Sequence, residues 1–444
     1  MKKTLLILAI LFVFSQNSYA QQNLDQLINQ ELPTLVTTYK NLHASPELSH
    51  KEEKTSSFIA SELKKLGYEV TERVGKYDQA GLTSYGLVAL LKNGNGPKVL
   101  IRTDMDGLPI DEKTNLPYAS KVKTKNDVGE EVAVMHGCGH DIHMTTFLGT
   151  AKMLATLKNQ WKGTVILIGQ PAEERGTGAK AMLKDELYTK FPKPDYVLAL
   201  HDNANLAAGK VGYCEGYALA NVNSVNITVR GVGGHGAYPQ TTKDPIVIAS
   251  QIVLALQTIV SRENSPLDPA VVTVGSISGG TKHNIIPDEV KLQLTVRTYK
   301  EEVRQKVLSA IERISQGIAI AAGLPKDRLP IVEVVETEFT PATYNNPVLT
   351  KRIVGVFEQT LGKENVVATD PVMGGEDFGR FSLNQEIPGF IFWLGAVDPV
   401  LIEKSQKQST PLPSLHSSQF APLAEPTIFT GVKAMTSAAL ELLK

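Results

Sequence analysis

The sequence predicts an α/β protein in which a main domain is interrupted by a smaller β-α-β-β-α-β domain of the ferredoxin-like type. Three observations support this prediction. Apolar runs of strand length alternate with segments of helical periodicity. Several of these runs end in a carboxylate or an imidazole, as strands do at the carboxyl edge of an open α/β sheet. From 219 to 336 the order changes to strand, helix, two strands, helix and strand.

The first twenty residues have the pattern of a secretory signal peptide. Lys2 and Lys3 precede an apolar run, Leu5–Phe14, and small and polar residues then lead to a cleavage site after Ala20. The run is shorter than the about twenty apolar residues of a membrane helix, and no later segment reaches that length. We therefore expect an exported, periplasmic protein without membrane insertion. The formal net charge of −1 gives no electrostatic basis for binding nucleic acid.

The main domain begins with helical periodicity between Asn23 and Gly67 and resumes after the insertion with helices at Pro347–Leu361 and Glu425–Leu443. Three of its predicted strands run into ionisable side chains: Lys98–Arg102 before Asp104, Thr164–Gly169 before Glu173 and Glu174, and Tyr196–Leu200 before His201. Because strands of an α/β sheet present their carboxyl ends at one edge, we expect these side chains to meet.

The segment His136–His143 combines three imidazoles, a thiol and a carboxylate, and it precedes an apolar helix predicted at Met144–Leu157. A hydrophobic core does not need this composition, whereas thiolates and imidazoles are common ligands of transition metals. A site for two divalent ions needs several such ligands and a base that takes a proton from water. We predict Glu173 as the base and five metal ligands: Cys138, His140, Glu174, His201 and His416.

Some neighbouring residues have two interpretations. Asp141 either caps the following helix or orients a ligating imidazole, and Asp104 is either a similar supporting carboxylate or a solvated residue at a strand end. His143 is interpreted as structural. A Cys138–Cys214 disulfide is the alternative to metal binding by a free Cys138 thiolate. We favour metal binding, with Cys214 as a small buried residue.

The inserted domain is predicted at 219–336, between main-domain segments 21–218 and 337–444. Its predicted elements are a strand at Val225–Val229, a helix at Pro245–Ser261, strands at Val271–Ile277 and Glu289–Tyr299, a helix at Glu301–Ala322 and a strand at Ile331–Thr337. Gly231–Gly236 matches the glycine pattern of dinucleotide-binding loops, but no helix begins before Pro245, so we interpret it as a false match. His235 is then either incidental or a donor to a substrate.

Eight motifs occur in order along the mature chain: His43–Leu48, Asp104–Pro109, Gly137–Asp141, Gln170–Glu174, Gly234–Ala237, Asn284–Asp288, Gly375–Phe378 and Leu415–His416. With these motifs the sequence resembles the two-metal amidohydrolases and metallopeptidases that include aminoacylase, glutamate carboxypeptidase, hippurate hydrolase and the indole-acetyl-amino-acid hydrolases. It is most similar to the last two, whose metal motif contains a cysteine.

The resemblance implies a mixed sheet between helices in the main domain, and an inserted domain that acts as a lid and as the surface of a homodimer or higher oligomer. It implies the same five metal ligands and the same base. It also implies that His235 reaches the active site of the partner subunit to stabilise an oxyanion. Asn284 and Arg297 would bind the carboxylate or carbonyl of the substrate, because a guanidinium can bind a carboxylate through two hydrogen bonds.

Two segments depart from the family pattern. Asp202 and Asn203 follow His201 where relatives have more apolar residues, and Lys282 and His283 occupy positions where small residues are commoner. Both segments are candidates for the border of an acyl pocket.

Taken together, the motifs predict an exported enzyme that hydrolyses the amide bond of small-molecule N-acyl amino acids, hippurate-like or related conjugates. A dipeptidase or carboxypeptidase with the same site is the main alternative. A nicotinamide-dependent oxidoreductase depends on the glycine motif alone, and a non-catalytic metal-dependent binding protein would not need Glu173. The ligand set suits zinc, cobalt or nickel through its thiolate and imidazoles, and its carboxylate also admits manganese.

Overall fold

The computed structural model describes residues 24–444, so the predicted signal peptide at 1–20 lies outside the described residues. The chain forms two compact units. Within the described residues, the first contains the chain up to Gly216, with Tyr344–Asp370 and Phe378–Lys444, and the second contains Tyr217–Thr343 and Pro371–Asp377. The second unit begins two residues before the predicted bound at 219 and continues seven residues beyond the predicted bound at 336.

Two of the helices begin at residues that favour a helix N-terminus. Pro347 and Pro245 occupy first helical positions, where their missing N–H groups cost nothing, and the side chains of Asn346 and Asp244 accept a backbone N–H of the following turn. In the described residues the helices are α1 (24–43), α2 (Glu53–Lys65), α3 (His140–Thr156), α4 (Gly178–Lys184), α5 (Leu187–Lys190), α6 (Pro245–Thr258), α7 (Glu301–Ala321), α8 (Pro347–Leu361), α9 (Pro399–Gln408) and α10 (Ala424–Leu442).

The strands of the first unit are mostly apolar runs, and those of the second unit alternate between buried and exposed residues. They are β1 (Glu69–Val74), β2 (Gly86–Asn93), β3 (Lys98–Asp104), β4 (Lys123–Lys125), β5 (Glu131–Ala133), β6 (Gly163–Gln170), β7 (Tyr196–Ala207), β8 (Val211–Tyr213), β9 (Gly216–Leu219), β10 (Asn221–Arg230), β11 (Gly234–His235), β12 (Ala270–Gly279), β13 (Ile285–Ile286), β14 (Glu289–Thr298), β15 (Ile331–Val334), β16 (Thr343–Asn345), β17 (Val366–Ala368) and β18 (Gly389–Val397).

The first unit contains an eight-stranded sheet in the order β1-β2-β6-β3-β7-β18-β8-β17. The strands β6, β3, β7 and β18 run parallel, whereas β2 pairs antiparallel with β1 and β6, and β8 pairs antiparallel with β18. The largest hydrophobic cluster joins this sheet to α1, α2, α3, α8 and α10 through residues such as Leu35, Ile59, Phe147, Phe357 and Val432. The prediction of a mixed sheet flanked by helices is confirmed.

The order of the central strands places the ionisable residues together. Because β3 lies between β6 and β7 and runs parallel to both, Asp104, the turn after Gln170 and His201 lie at one edge of the sheet. The strand predicted to end at Leu200 continues to Ala207, because its polar residues pair with β18, as in the pair of Asp202 with Leu394. His201 therefore lies on a strand and not after one.

The second unit contains a four-stranded antiparallel sheet in the order β12-β14-β10-β15. Its elements follow along the chain as β10-α6-β12-β14-α7-β15, which is the β-α-β-β-α-β arrangement expected from the sequence. The core of this unit contains residues such as Val225, Ile252, Leu292 and Ile311 from the sheet and both helices.

The segment Pro371–Asp377 belongs to the second unit, although the sequence assigns it to the main domain. Backbone hydrogen bonds explain the difference. The N–H of Ala220 donates to the carbonyl of Gly374, and the N–H of Val372 donates to the carbonyl of Ala218, both at 3.0 Å. No pattern in the sequence indicates pairing across so many intervening residues.

Among residues 24–444, the helical segment Pro245–Glu263 is the one long and apolar enough to cross a membrane by length and composition, and a third of it (33%) is buried. This finding differs from the sequence analysis, which singled out no segment of that length after the first twenty residues. Helices in the cores of soluble proteins also meet this criterion, so the absence of membrane insertion stays a prediction.

Candidate metal centre

The start of α3 brings a thiol and an imidazole to the edge of the sheet. The helix begins at His140, four residues before the predicted start at Met144, because a first helical turn accommodates polar and acidic residues. Gly139 precedes it with a φ of 79°, which favours glycine. A Cβ at this position would lie 1.9 Å from Oδ2 of Asp202. Glycine is therefore required for this close approach to β7.

The Cys138 thiol lies between two imidazoles from distant parts of the chain. Its Sγ is 3.5 Å from Nε2 of His201 and 3.2 Å from Nε2 of His416. Cys138 and Cys214 are both free and buried, so the alternative of a disulfide is not realised. The sulfur of Cys138 is positioned to bind a metal ion together with both rings.

His140 extends the cluster towards the two glutamates. Its Nε2 is 3.8 Å from Oε1 of Glu174 and 3.9 Å from Oε2 of Glu173, and Nε2 of His416 is 3.6 Å from the same Glu174 oxygen. Three overlapping groups have ligand atoms that all lie within 4.8 Å of one another: Cys138 with His140 and His201, Cys138 with Glu174 and His416, and His140 with Glu173 and Glu174. The structure thus brings together the five predicted ligands and the predicted base.

Backbone carbonyls fix the orientation of two of the rings. Nδ1 of His140 lies 2.8 Å from the carbonyl oxygen of Asp106, and Nδ1 of His201 lies 2.8 Å from that of Asp202. A carbonyl oxygen only accepts hydrogen bonds, so each Nδ1 carries the hydrogen. Each Nε2 then presents its lone pair to the cluster, as a metal-binding imidazole must.

The chemistry of the cluster fits divalent cations. Nε2 of His140 and Oε1 of Glu174 are buried and have no hydrogen-bond partner within the part of the chain that the structure describes. Burial raises the pKa of the Cys138 thiol well above its usual value, and burial raises the pKa of Glu174 to about 7. Both groups are therefore costly to ionise without a neighbouring cation, and a bound metal ion reverses this cost.

The turn that carries the two glutamates is held by buried carboxylates. Ala172 has a positive φ of 48°, and its N–H donates to Oε1 of Glu52 at 2.7 Å. The N–H groups of Glu173 and Glu174 donate to the two oxygens of Asp106 at 3.2 and 3.1 Å. Sequence reasoning missed the roles of Glu52 and Asp106. Asp106 lies two residues after Asp104 in a recognised motif, but nothing in the sequence shows which carboxylate faces this turn.

Asp104 supports the cluster from within the protein and is not solvated. It is fully buried, with Oδ1 2.7 Å from Nδ1 of His143 and Oδ2 2.7 Å from Nη1 of Arg102. The backbone N–H of Asp202 donates to Nε2 of His143 at 2.9 Å, so this ring bridges β3 and β7. Its centroid lies 4.6 Å from that of His201, so His143 packs against a predicted ligand.

Asp141 is also fully buried. Its Oδ1 accepts the N–H of Ile142 at 2.9 Å, and its Oδ2 lies 2.7 Å from Nδ1 of His43. The side-chain partner of Asp141 is thus His43 and not a ring of the predicted ligand set. His43 belongs to a recognised motif, but the sequence did not indicate this role.

The second unit contains the three remaining predicted residues. His235 is exposed on β11, which pairs with β13, and its Nδ1 accepts the N–H of Ala237 at 3.0 Å. Asn284 is exposed next to β13, and Arg297 on β14 donates from Nη1 to the carbonyl of Met373 at 3.0 Å. The glycine-rich loop is followed by a short 3₁₀ turn at Pro239–Thr241 and not directly by an α-helix, which supports the interpretation of the dinucleotide pattern as a false match.

The two segments that depart from the family pattern differ in exposure. Asp202 is fully buried, with Oδ1 3.3 Å from both Nε2 of His143 and Nδ1 of His201, so it supports the cluster and does not line an acyl pocket. Asn203 is partly exposed, and Lys282 and His283 are exposed. These three residues remain candidates for contacts with a substrate.

A cluster of thiol, imidazole and carboxylate donors with an adjacent glutamate, at the carboxyl edge of a sheet, defines a class of metal-dependent hydrolases. Comparison with known proteins identifies the family. The model of Peptidase family M20/M25/M40 matches residues 100–417. The chain belongs to this family and is a metal-dependent amidohydrolase or peptidase.

Individual relatives agree with this assignment. Thermostable carboxypeptidase 2 of Saccharolobus solfataricus is 36% identical over 388 residues, which are 87% of this chain and 90% of that protein. Hippurate hydrolase of Campylobacter jejuni is 39% identical over 343 residues, 77% and 82% of the two chains. A Bacillus subtilis protein, described as a dinuclear metal binding peptidase of the M20 family, matches with a TM-score of 0.73 and 28% identity over 94% of this chain and 99% of that one. The donor cluster and this relative support two divalent ions.

Proposed function

We propose that this protein hydrolyses the amide bond of N-acyl amino acids, hippurate-like or related conjugates. The observation that carries the proposal is the different position of the adjacent glutamates Glu173 and Glu174. Oε1 of Glu174 faces both His140 and His416, whereas Glu173 lies beside His140 and is not needed to complete the five-ligand set. The 39% sequence identity with a hippurate hydrolase supports the choice of substrate class.

In the proposed mechanism, two divalent ions, zinc or manganese with cobalt and nickel as further candidates, would be held by Cys138, His140, Glu174, His201 and His416. When bound, the ions would polarise the scissile carbonyl and lower the pKa of water. Glu173 takes a proton from the attacking water and later returns it to the leaving amine. The carbonyls of Asp106 and Asp202 keep the rings of His140 and His201 in the ligating tautomer.

We assign substrate recognition to the second unit. His235 is the proposed donor to the oxyanion, acting in the active site of the partner subunit, and an exposed imidazole on a loop is available for that contact. Asn284 and Arg297 are the proposed ligands of the substrate carboxylate or carbonyl. The guanidinium of Arg297 is partly buried and suits a carboxylate, because it can donate two parallel hydrogen bonds.

We also propose a homodimer formed through the second unit. Three apolar side chains of α6 are exposed in the single chain, namely Ile246, Val247 and Leu254, and Ile277 is exposed on β12 at the end of the four-stranded sheet. Apolar residues grouped in this way favour association with another surface. Sedimentation should give the mass of a dimer, and a monomer at micromolar concentration would contradict the proposal.

Export to the periplasm is proposed from residues 1–20 alone. Their charged start, apolar run and small residues at the predicted cleavage site are those of a secretory leader. The N-terminal sequence of the protein isolated from its native cell should begin at Gln21. A chain that retains Lys2 and Lys3 would contradict export by cleavage.

A dipeptidase or carboxypeptidase activity at the same site is the second candidate. The 36% identity with a carboxypeptidase favours it, and the chemistry at Glu173 would be unchanged. The two candidates differ only in the acyl side of the scissile amide. A single substrate panel therefore distinguishes them.

The test is amine release by the purified mature protein from N-acetyl, N-benzoyl and indole-acetyl amino acids and from dipeptides, with zinc or manganese added. Glu173→Gln should retain the metal but lose turnover by about 10²–10⁴-fold, the usual contribution of a general base. Glu130→Gln, at an exposed glutamate of the β4–β5 hairpin, is the matched control. Equal activity of Glu173→Gln and the wild type would contradict the mechanism. Release from dipeptides alone would favour the peptidase.

A further inference from the structure

A buried ionic network lies beside the proposed metal centre. His43, the last residue of α1, is 1% exposed, and each of its ring nitrogens faces a carboxylate. Nδ1 is 2.7 Å from Oδ2 of Asp141, and Nε2 is 3.0 Å from Oε1 of Glu112. The side chains of both carboxylates have no exposed surface. None of these three residues belongs to the proposed ligands or substrate-binding residues.

The contacts of both ring nitrogens with carboxylate oxygens favour a positive charge on His43. Ionised carboxylates only accept hydrogen bonds, so both ring nitrogens must donate, and the ring is an imidazolium. Burial alone lowers the pKa of His43, but the hydrogen bonds with Asp141 and Glu112 outweigh it and raise this pKa to about 10. Removing the ring would leave two buried carboxylates without a counter-ion, which is the costly case for buried ion pairs.

One arm of the network reaches the start of α3. Asp141 directly follows the proposed ligand His140, and its second oxygen accepts the N–H of Ile142. The carboxylate thus joins His43 to the first turn of the helix. A change in its position would move the backbone that carries His140.

The other arm reaches the segment that carries His416. Oε2 of Glu112 accepts the N–H of Ser120 at 2.6 Å, and Thr114 donates through its hydroxyl to Oε1, so this carboxylate organises the loop around it. The next residue, Lys113, donates its backbone N–H to the carbonyl of Ser418 at 2.7 Å. Ser418 lies two residues after His416.

His416 depends on such backbone contacts for its position. Its side chain is 53% exposed, whereas those of His140 and His201 are buried. It lies between α9 and α10 in a stretch without helix or strand, with a φ of 64°. Its N–H donates to the carbonyl of Gly137 at 2.8 Å. Side-chain packing therefore constrains this proposed ligand less than the buried ones.

We propose that Glu112, His43 and Asp141 form an ionic clamp that positions both His416 and the start of α3 for metal binding. His43 is a positioning residue, because it acts through the two carboxylates and the backbone segments that they hold. The inference rests on the proposed metal centre. It adds that the charge of a residue outside the ligand set controls how tightly the ions are bound.

The test measures zinc affinity of the metal-free protein by competition with a chelator, and the thiolate-to-cobalt absorption band of the cobalt-substituted protein. Neither readout requires a substrate. The variants are His43→Asn and the double variant His43→Asn with Glu112→Gln. The control is His50→Asn, at a histidine whose Nε2 lies 3.2 Å from the neutral hydroxyl of Thr177.

We expect His43→Asn to weaken binding of the more weakly held ion by about 10–100-fold, as loss of supporting residues around a metal site does. The double variant should recover most of this loss, because it removes one of the two uncompensated charges. A merely structural role of the ring gives no reason for such rescue. The control should bind zinc as the wild type does.

Zinc affinity of His43→Asn equal to that of His50→Asn would overturn the clamp, and so would a double variant no better than the single one. If His43→Asn does not fold, the double variant decides: restored folding and zinc binding support the clamp, and failure of both overturns it.

Cys138→Ala separates the two proposals. If it binds zinc as the wild type does, the metal centre itself is wrong; if it loses zinc while His43→Asn does not, only the clamp is wrong.

Discussion

Two regions of the molecule are built in different ways. One is the candidate metal centre of the first unit, and the other is the glycine-rich segment Gly231–Gly236 of the second unit, called the His235 loop below. Around the metal centre, His140 and His201 are buried and their tautomers are set by carbonyls. On the loop, His235 is exposed, and the backbone is held by the two residue pairs that join β11 and β13. The difference teaches that the proposed ligands are held by buried contacts of the fold, whereas the proposed substrate-binding histidine is presented on the surface.

This comparison separates two quantities that mutations can change independently. Removing a donor of the buried cluster should change metal content first and activity as a consequence. Removing a donor of the exposed loop should change turnover and leave metal content unchanged. Variants that violate this separation would show that the two regions are not distinct in function.

The largest effect is expected for Cys138→Ala. Because Sγ of Cys138 lies within 3.5 Å of both His201 and His416, its loss removes the donor shared by two groups of the cluster. We expect less than the full complement of metal and a loss of turnover of about 10³-fold or more, since the electrostatic stabilisation by the ions would be lost with them. Metal analysis after dialysis and amine release measure the two effects. Cys214→Ala is the matched control, and full metal content in Cys138→Ala would refute the assignment.

An intermediate effect is expected for His235→Gln. Loss of one oxyanion donor costs about 10²–10³-fold in kcat, and the metal content should equal that of the wild type. Lys291→Gln, at an exposed residue of β14 in the same unit, is the control. A loss of metal in His235→Gln would contradict the separation of the two regions.

Mixing two inactive variants tests whether His235 acts across a dimer. In a heterodimer of His235→Gln and Glu173→Gln, one of the two sites would combine an intact Glu173 with an intact His235 from the partner. Random exchange of subunits would then restore up to about a quarter of the wild-type activity. No recovery after proven exchange would place His235 in its own subunit.

The sequence singled out the residues that the structure brings together in the candidate metal centre, because their spacing and residue types are unusual. Cys138 and His140 lie in one short motif, and Glu173 follows an apolar strand whose end the pattern locates. These features are local. A few residues of sequence are enough to connect each of them with its chemistry.

The supporting residues could not be predicted in the same way. His43 is 98 residues from Asp141 and 69 from Glu112, and Glu52 is 120 residues from Ala172. Buried carboxylates are common only where they are paired, but sequence alone does not show the pairing. The extension of β7 beyond Leu200 was missed for the same reason, because its polar residues are held by their register with β18.

The last expected effect concerns stability and not activity, and it is a pH dependence in the buried region. The pKa of His43 is raised from 6.5 to about 10 on folding, so its contribution is fully present below pH 6.5 and is lost as the pH rises towards 10. This contribution falls by at most about 1.4 kcal/mol for each pH unit in that interval. Denaturant unfolding of the metal-free protein should therefore show a steeper loss of stability above pH 6.5 in the wild type than in the double variant His43→Asn with Glu112→Gln.

His50→Asn sharpens this measurement, because burial lowers the pKa of His50 below 6.5. Its contribution changes with pH only below that value, so the slope above pH 6.5 should equal that of the wild type. If the wild type and the double variant lose stability equally between pH 6.5 and 10, His43 is not a charged residue in the folded protein. The contacts of His43 with Asp141 and Glu112 would then be hydrogen bonds of a neutral ring, and a fixed charge would no longer distinguish the buried region from the exposed loop.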